Sequence, residues 1–289
     1  MLHTPVLAAE AIEWLRIRPE GTYLDATTGT AGHSIEIARR LTTGRLVCID
    51  RDSNALEIAR GRLKEFGERV VLVHAEFSQI GEVAREHGSF DGVLADLGIS
   101  SLELDSPERG FSFRYAADLD MRMNPDAELT AAEIVNEWPE KQLADLLYQK
   151  AEETDSRRIA KAIVRARPIR DTEHLATVVA GVRQVRGRQR LHPATKTFLA
   201  LRIAVNREEE ELEQFLSRTP ATLNSGGRWV VMSYHSREDR PVKRAFQQLA
   251  REGGFRVLTK KVIVPREAEI ASNPRARSAK MRVAEKVAA

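Results

Sequence analysis

Short apolar runs alternate with amphipathic stretches along the first third of the chain. The apolar runs, which are typical of buried strands, cover 22–26, 45–49, 70–73 and 91–95. The stretches between them, whose apolar residues recur at helical spacing, cover 34–41, 53–66 and 77–87. Strands that alternate with helices predict an α/β fold with a parallel sheet and right-handed crossover helices.

The pattern changes after Asp96. A polar segment with aromatic and methionine residues and little periodicity covers 103–125. The helical segments that follow are 130–138, 140–153, 156–166 and 172–185. We expect one long helix to begin near Pro193 and to continue past Leu212, with its acidic run 208–211 facing water.

Sheet signals return near the end of the chain, as strands at 228–234, 255–264 and 280–284 and a helix at 239–252. The simplest interpretation is one α/β domain that a helical insertion interrupts. We place its first part at 1–104, the insertion, as a substrate-recognition domain, at 105–195 and its second part at 196–289. The insertion then leaves the sheet at the carboxyl ends of the strands, where ligands bind in such folds.

Composition narrows the class of protein. Hydrophobic residues make up 42% and charged residues 30% of the 289 residues, as in ordinary globular proteins. The apolar runs are too short to cross a bilayer, and the first residues lack the pattern of a signal peptide, so we expect a cytoplasmic protein without a membrane partner.

Cys48 is the only cysteine, which excludes an intrachain disulfide and a cysteine-rich zinc site. We predict no metal ligands.

Charge is distributed unevenly, although the net charge is only +3. Segment 156–204 has twelve Lys and Arg but two acidic residues, and segment 256–289 has nine against three. Clustered cations attract phosphates, so these segments favour a polyanion partner; a solvated helical face is the alternative.

Candidate ligand groups follow the ends of the first four strands. The segment 25–33 is a glycine-containing turn between a strand and a helix, and it lacks the second and third glycines of the dinucleotide motif. Its Asp25 can meet a cationic or hydroxylated ligand, which favours S-adenosylmethionine over NAD. Asp50 can accept both hydroxyls of a ribose, or it can cap the next helix, with Asp52 or Ser53 as rival caps. Phe77 can stack on adenine or simply begin a helix, and Asp96 points into the cleft.

Seven motifs occur in order along almost the whole chain and together resemble the family of ribosomal RNA small subunit methyltransferase H, also called RsmH or MraW. They are Asp25-Ala-Thr-Thr-Gly-Thr-Ala-Gly-His33-Ser34, Asp96-Leu-Gly-Ile-Ser-Ser101, Arg109-Gly-Phe-Ser-Phe113, Asp120-Met-Arg-Met123, His192-Pro-Ala-Thr195, Ser233-Tyr-His-Ser236-Arg-Glu-Asp-Arg240 and Asn273-Pro-Arg-Ala-Arg-Ser278.

The resemblance implies S-adenosylmethionine-dependent N4-methylation of one cytidine in the decoding region of 16S rRNA, within the 30S subunit. It also implies a Rossmann-like, seven-stranded methyltransferase sheet interrupted by a helical domain. By matching position, the cofactor contacts are Ala31, Gly32, His33, Asp50, Phe77, Asp96 and Glu103. Two of these depart from the family pattern: Ala31 replaces a glycine, which is expected to reshape the loop slightly, and Glu103 replaces a frequent glutamine.

Methyl transfer to N4 needs an acceptor for the proton that the amine loses. Asp96 is the first candidate and His235 the second, since His235 follows a strand and has a usable pKa. Two alternatives stay open: Asp96 only holds the amino group of the cofactor, and His235 only caps the helix that follows.

The target base must leave its stack to be reached. Phe111, Phe113 and Tyr115 can stack on it, or they can pack the insertion onto the sheet. The cations expected to meet RNA phosphates are Arg109, Arg114, Arg122, Arg188 and Arg190.

Two other functions remain as alternatives. One is a non-catalytic ribosome-assembly factor that binds RNA and has a vestigial cofactor site, and the other is a nicotinamide-dependent dehydrogenase. The sequence leaves the oligomeric state open, and a homodimer is one of the states it allows.

Overall fold

The computed structural model describes residues 5–182 and 192–287. Within these ranges the strands are β1 (Thr22–Asp25), β2 (Arg45–Asp50), β3 (Val70–His74), β4 (Phe90–Asp96), β5 (Leu223–Ser233), β6 (Phe255–Val257) and β7 (Lys280–Lys286). The helices are α1 (Ala8–Leu15), α2 (Gly32–Ala38), α3 (Ser53–Leu63), α4 (Ile80–His87), α5 (Ser101–Asp105), α6 (Ala131–Glu137), α7 (Glu140–Ala151), α8 (Ser156–Ala166), α9 (Thr172–Val182), α10 (Thr195–Val205), α11 (Glu208–Thr222), α12 (Ser236–Arg251) and α13 (Glu267–Ser272). None of these helices is long and apolar enough to cross a membrane.

The strands form one sheet in the order β3-β2-β1-β4-β5-β7-β6. β1 to β5 pair in parallel, whereas β7 runs antiparallel to both β5 and β6. The expected seven-stranded sheet of the methyltransferase type is therefore confirmed. The carboxyl ends of β1 to β5 lie along one edge of this sheet, and that edge holds the candidate ligands.

Both faces of the sheet are buried. Alternate residues of β2 belong to different cores, with Leu46 and Cys48 in one and Val47 and Ile49 in the other. Strands that are covered on both sides need apolar residues at every position, which explains why their runs were visible in the sequence.

The chain divides into two compact units, one made of Met1–Gly98 and Glu209–Ala289 and the other of Ile99–Glu208. The first contains the sheet. The second is helical, and its core contains the fully buried side chains Leu143, Leu147, Ile159, Ile163 and Leu201. The predicted limits of the insertion, 105 and 195, fall inside the helical unit.

The prediction of one long helix after Pro193 is wrong. α10 ends at Val205, Arg207 has a left-handed φ of 47°, and α11 starts at Glu208. The acidic run does not face water throughout either, because Glu211 is buried and accepts a hydrogen bond from the Ser78 N–H at 2.8 Å.

Two predicted strands need smaller corrections, and one helix was not predicted. β6 ends at Val257; in the remaining segment the Leu258 N–H donates to the Val283 carbonyl, and Ile263 forms an isolated bridge to Met281. β5 begins at Leu223, so the glycine pair at 226–227 lies within the strand, where its pairing with β4 is irregular. The sequence pattern did not predict α1.

Candidate active site

The turn after β1 is organised by a buried carboxylate. Asp25 is fully buried and accepts hydrogen bonds from the Ser34 hydroxyl at 2.6 Å and the Thr27 N–H at 3.1 Å. Burial raises the pKa of the Asp25 carboxyl, although His33 and Ser34 act against that shift. The Asp25 carboxylate thus joins the turn to α2 inside the protein, and a ligand contact by Asp25 stays a prediction.

The turn holds Ala31 at the position where the resemblance implies a glycine. Ala31 adopts a left-handed backbone conformation, with φ 67°, and its N–H donates to the Thr28 carbonyl at 2.7 Å. This conformation costs an L-residue roughly 1–2 kcal/mol. Ala31 therefore carries local backbone strain, and the expected reshaping of the loop stays a prediction. Gly32 follows at the start of α2, where a Cβ would lie 3.2 Å from the Cβ of Pro5.

Asp50 lies at the end of β2 and faces the same turn. Its two carboxylate oxygens accept hydrogen bonds from the Gly29 N–H at 2.7 Å and the Asp52 N–H at 2.9 Å. Asp52, and not Asp50, caps α3 through the Asn54 N–H. Burial raises the pKa of Asp50 to about 6. A carboxylate has about four acceptor positions, so Asp50 retains capacity for ligand hydroxyls.

Phe77 begins a short 3-10 helix beyond β3, and its ring stacks on Phe215 of α11 with centroids 4.7 Å apart. The guanidinium carbon of Arg51 lies 6.0 Å from the centroid of the Phe77 ring. The next residue, Ser78, receives two contacts from α11, because its N–H is bound by Glu211 and its carbonyl by Arg218. α11 therefore fixes the position of Phe77.

Asp96 ends β4 and has three polar neighbours. The Tyr234 hydroxyl donates to its Oδ1 at 2.8 Å, and its own N–H donates to the Thr27 hydroxyl at 2.6 Å. The Nε2 atom of His33 lies 3.6 Å from its Oδ2. The sequence predicted a clustering of Asp96 and His33 near the turn, and the structure brings them together; it had not predicted the contacts of Tyr234 and Thr27.

His33 is almost entirely buried, and neither ring nitrogen has a hydrogen-bond partner among the described residues. Burial by itself lowers the pKa of His33, but the carboxylates of Asp96 and Asp25 outweigh it, and the net direction is upward. An unsatisfied buried imidazole beside a carboxylate fits a site that receives a polar ligand.

His235 is the residue at the N-terminal cap of α12. Its Nε2 lies 3.0 Å from the Oε1 of Glu238, one turn along the helix. The other oxygen of Glu238 accepts from the backbone N–H groups of Tyr234 and His235. The position of His235 therefore matches the alternative in which it caps α12. A role in proton transfer stays a prediction.

Glu103 belongs to the helical unit, and it too is engaged in a cap. Its Oε2 accepts from the Ser100 N–H at 2.7 Å, and its own N–H donates to the Ser100 hydroxyl at 3.2 Å. The side chain is buried. This capping box holds the start of α5, so a cofactor contact by Glu103 stays a prediction.

The arginines expected to meet RNA are engaged inside the helical unit. Arg109 donates to the carbonyls of Arg122 and Met123, and Arg122 pairs with Asp120 through two hydrogen bonds of 2.8 and 3.0 Å. Arg122 also donates to the carbonyls of Pro125 and Ala127. Both side chains organise the irregular segment, and phosphate contacts by them stay predictions. Arg188 and Arg190 lie outside the described residues.

The aromatic residues of this segment differ in exposure. Phe111 is buried in the helical core, and Phe113 packs on the rings of Phe198 and His192 at 4.9 and 4.6 Å. Tyr115, by contrast, is 64% exposed and follows the exposed Arg114. Packing within the helical unit is thus the role the structure gives Phe111 and Phe113, and Tyr115 is the aromatic side chain open to solvent.

Comparison with known proteins identifies relatives over nearly the whole chain. The model of the MraW methylase family matches residues 1–287. The chain is 50% identical over 286 residues to a protein of Solibacter usitatus named Ribosomal RNA small subunit methyltransferase H, which covers 98% of this chain and 99% of the relative. It is 51% identical to the protein of the same name in Koribacter versatilis, over 98% of this chain and 93% of the relative.

Proposed function

This chain belongs to the MraW methylase family, and on that premise we propose that it transfers the methyl group of S-adenosylmethionine to N4 of one cytidine in the decoding region of 16S rRNA. The cofactor and the coarser activity, methylation of ribosomal RNA, follow from the family and from the shared name of relatives about half identical in sequence. The nicotinamide alternative is excluded because the family is one of methylases. The observation that carries the proposal is the series Asp50, Phe77 and Asp96 along one edge of the sheet.

We assign the cofactor to that edge. The turn at Ala31 and Gly32 brings backbone close to the ligand, the carboxylate of Asp50 accepts the ribose hydroxyls, and the ring of Phe77 stacks on the adenine. Asp96 and His33 then face the amino-acid part and the methyl group. Glu103 remains a proposed contact at the start of α5.

The cytosine amine is a poor nucleophile because its lone pair is delocalised into the ring. The reaction also needs a proton acceptor, because the amine must lose a proton when it gains the methyl group. Asp96 is our first choice, since an aligned carboxylate can both orient the amine and take its proton. Burial, with the nearby charge of Asp96, raises the pKa of Tyr234, which keeps the phenol a hydrogen-bond donor. His235 stays the second candidate, in contact with Glu238.

The substrate side of the proposal rests on a flipped or single-stranded cytidine. The exposed Tyr115 offers a stacking surface and Arg114 a cation for phosphate, which supports RNA contact in this part of the helical unit. We place the reaction in the cytoplasm, on the 30S subunit, and we retain a homodimer as the proposed assembly.

Incubation of the protein with labelled S-adenosylmethionine tests this function. Unmethylated 30S subunits and naked 16S rRNA serve as separate substrates. We expect label in the RNA of the subunits. A non-catalytic factor that binds RNA and has a vestigial cofactor site would incorporate none, even though it would bind the subunit.

A further inference from the structure

The motif 233–240 contains a tyrosine that contacts Asp96. From its sequence, this motif offers His235 as a candidate for proton transfer. In the structure it is the preceding residue, Tyr234, that reaches Asp96, with its hydroxyl 2.8 Å from Oδ1. The imidazole of His235 instead lies against Glu238.

Tyr234 is itself held firmly at both its backbone and its ring. Its N–H donates to Glu238 Oε2 at 2.8 Å. The ring packs on the turn that follows β4, because a Cβ built on Gly98 would lie 3.4 Å from its Cδ2. Gly98 has a φ of 102°, which disfavours any other residue at this close approach.

The helix that carries Glu238 is fixed in turn. Asp239, the next residue of α12, accepts two hydrogen bonds from Arg282 of β7, at 2.7 and 3.1 Å. Both side chains of this pair are largely buried. A bidentate arginine–carboxylate pair restricts orientation more than a single contact does. The motif therefore forms a continuous support from β7, through α12, to the hydroxyl of Tyr234.

The backbone N–H and the second carboxylate oxygen of Asp96 also have polar neighbours. Its backbone N–H is bound by the Thr27 hydroxyl at 2.6 Å, and its second carboxylate oxygen lies 3.6 Å from His33. With Oδ1 bound to Tyr234, rotation of the carboxylate would break a hydrogen bond to a charged acceptor. Such bonds are among the stronger ones in proteins.

We infer that Tyr234 is a positioning residue that fixes the carboxylate of Asp96 for methyl transfer, an inference that rests on the proposed function. Tyr234 acts through Asp96 and does not exchange a proton with the substrate. Loss of its hydroxyl should therefore slow turnover while the cofactor, which is bound by other groups along the sheet edge, binds as before.

Tyr234→Phe tests the inference because it removes the hydroxyl and keeps the ring on Gly98. We expect kcat to fall about 10- to 100-fold, the usual effect of losing one hydrogen bond to a charged group, with the Kd of S-adenosylhomocysteine within twofold of wild type. Tyr23→Phe is the matched control. Tyr23 is equally a buried tyrosine of the sheet, and its hydroxyl accepts from the Arg18 N–H at 2.7 Å, remote from the chemistry. Its kcat should equal that of wild type.

A measurement that needs no turnover follows the Asp96 side chain itself. In protein labelled with ¹³C-aspartate, an Asp96 side chain held in one χ1 rotamer gives the Hα–Hβ couplings of that rotamer, whereas a side chain that exchanges between rotamers gives intermediate couplings. The signals are assigned with Asp96→Asn. We expect the couplings of a single rotamer in wild type and in Tyr23→Phe, and intermediate couplings in Tyr234→Phe.

The outcomes separate the two claims. An unchanged kcat in Tyr234→Phe overturns the inference, and so does a lower kcat with Asp96 still in a single rotamer. If wild type itself methylates no RNA, the proposed function fails. The Hα–Hβ couplings then still decide whether Tyr234 fixes Asp96, since the couplings of a single rotamer in Tyr234→Phe would contradict it.

Discussion

The two aspartates near the glycine turn show how position decides what a single carboxyl group does. Asp25 is completely buried, and its carboxylate accepts hydrogen bonds from Ser34 and Thr27. It therefore stabilises the turn between β1 and α2. Asp50 is half-buried, accepts from two backbone N–H groups and has its pKa raised to about 6 by burial. A group with that pKa changes charge within the range in which the protein can be studied.

We predict that cofactor affinity depends on pH through Asp50. The ionised carboxylate accepts ribose hydroxyls and the protonated one does so poorly, so affinity should fall as pH drops below about 6. With a pKa near 6, about one tenth of the carboxyl groups are ionised at pH 5, which predicts a Kd roughly tenfold higher than at pH 7.5. Calorimetry with S-adenosylhomocysteine measures this directly.

Asp50→Asn should bind the same ligand about tenfold more weakly at pH 7.5, and its Kd should vary less with pH. Any remaining dependence would report on His33, whose pKa is also raised. Asp52→Asn, which keeps a good helix cap, is the control and should bind as wild type does. An Asp50→Asn variant with wild-type affinity would remove Asp50 from the ribose site.

Single residues also show where prediction from sequence stops. Asp50, Phe77 and Asp96 could be predicted as candidates because polar or aromatic residues at the ends of parallel strands share one edge, which the strand order confirms. Tyr234 stands at a strand end too, within a motif, but its partner lies 138 residues away in the chain. The hydrogen bonds from Arg122 to Asp120 and to nearby carbonyls could not be predicted from composition either. Composition gives the number of charged residues but not their partners.

Among the elements, α11 has the least expected role. The sequence treated it as the end of a longer solvated helix, yet it presents Glu211, Phe215 and Arg218 to the segment that holds Phe77. Helical spacing continues from Phe198 through Leu212, so periodicity gave no sign of the break at Arg207, whose left-handed φ is not marked by a glycine. The strands were easier to predict from the sequence, because a strand buried on both faces of the sheet is an uninterrupted apolar run.

We predict that Glu211→Ala lowers the free energy of unfolding by about 1–3 kcal/mol, because the Ser78 N–H loses its acceptor in a largely buried place. The same variant should bind S-adenosylhomocysteine more weakly, since Ser78 directly follows Phe77. Urea denaturation and calorimetry measure the two effects. Glu213→Ala, an exposed carboxylate on the same helix, is the control. If both variants behave alike, α11 does not support the cofactor site.

At the scale of the whole molecule, the uneven distribution of charge predicts where RNA binds. Within the basic segment, Arg157, Lys161 and Arg165 recur every fourth residue on the exposed face of α8. None of the three has an ion pair or hydrogen bond with any residue that the structure describes. Unpaired cations in a row are suited to the phosphates of a nucleic acid.

Replacement of these three residues by glutamine should raise the KM for 30S subunits and leave kcat and cofactor affinity unchanged. The dependence of log KM on log salt should become shallower by about 2, the value expected for three lost phosphate contacts to single-stranded RNA. Arg39, Arg40 and Arg60, each paired with a glutamate three or four residues away, form the control set. Equal effects of the two triple variants would show that only net charge matters.

The central claim is tested most directly by identifying the methylated nucleoside. Unmethylated 30S subunits are incubated with the protein and S-adenosylmethionine carrying a deuterated methyl group, and the 16S rRNA is digested and analysed by mass spectrometry. The account predicts deuterated N4-methylcytidine at one position in the decoding region, and almost none with Asp96→Asn. Deuterium in a different nucleoside, or no deuterium in the RNA at all, would contradict it.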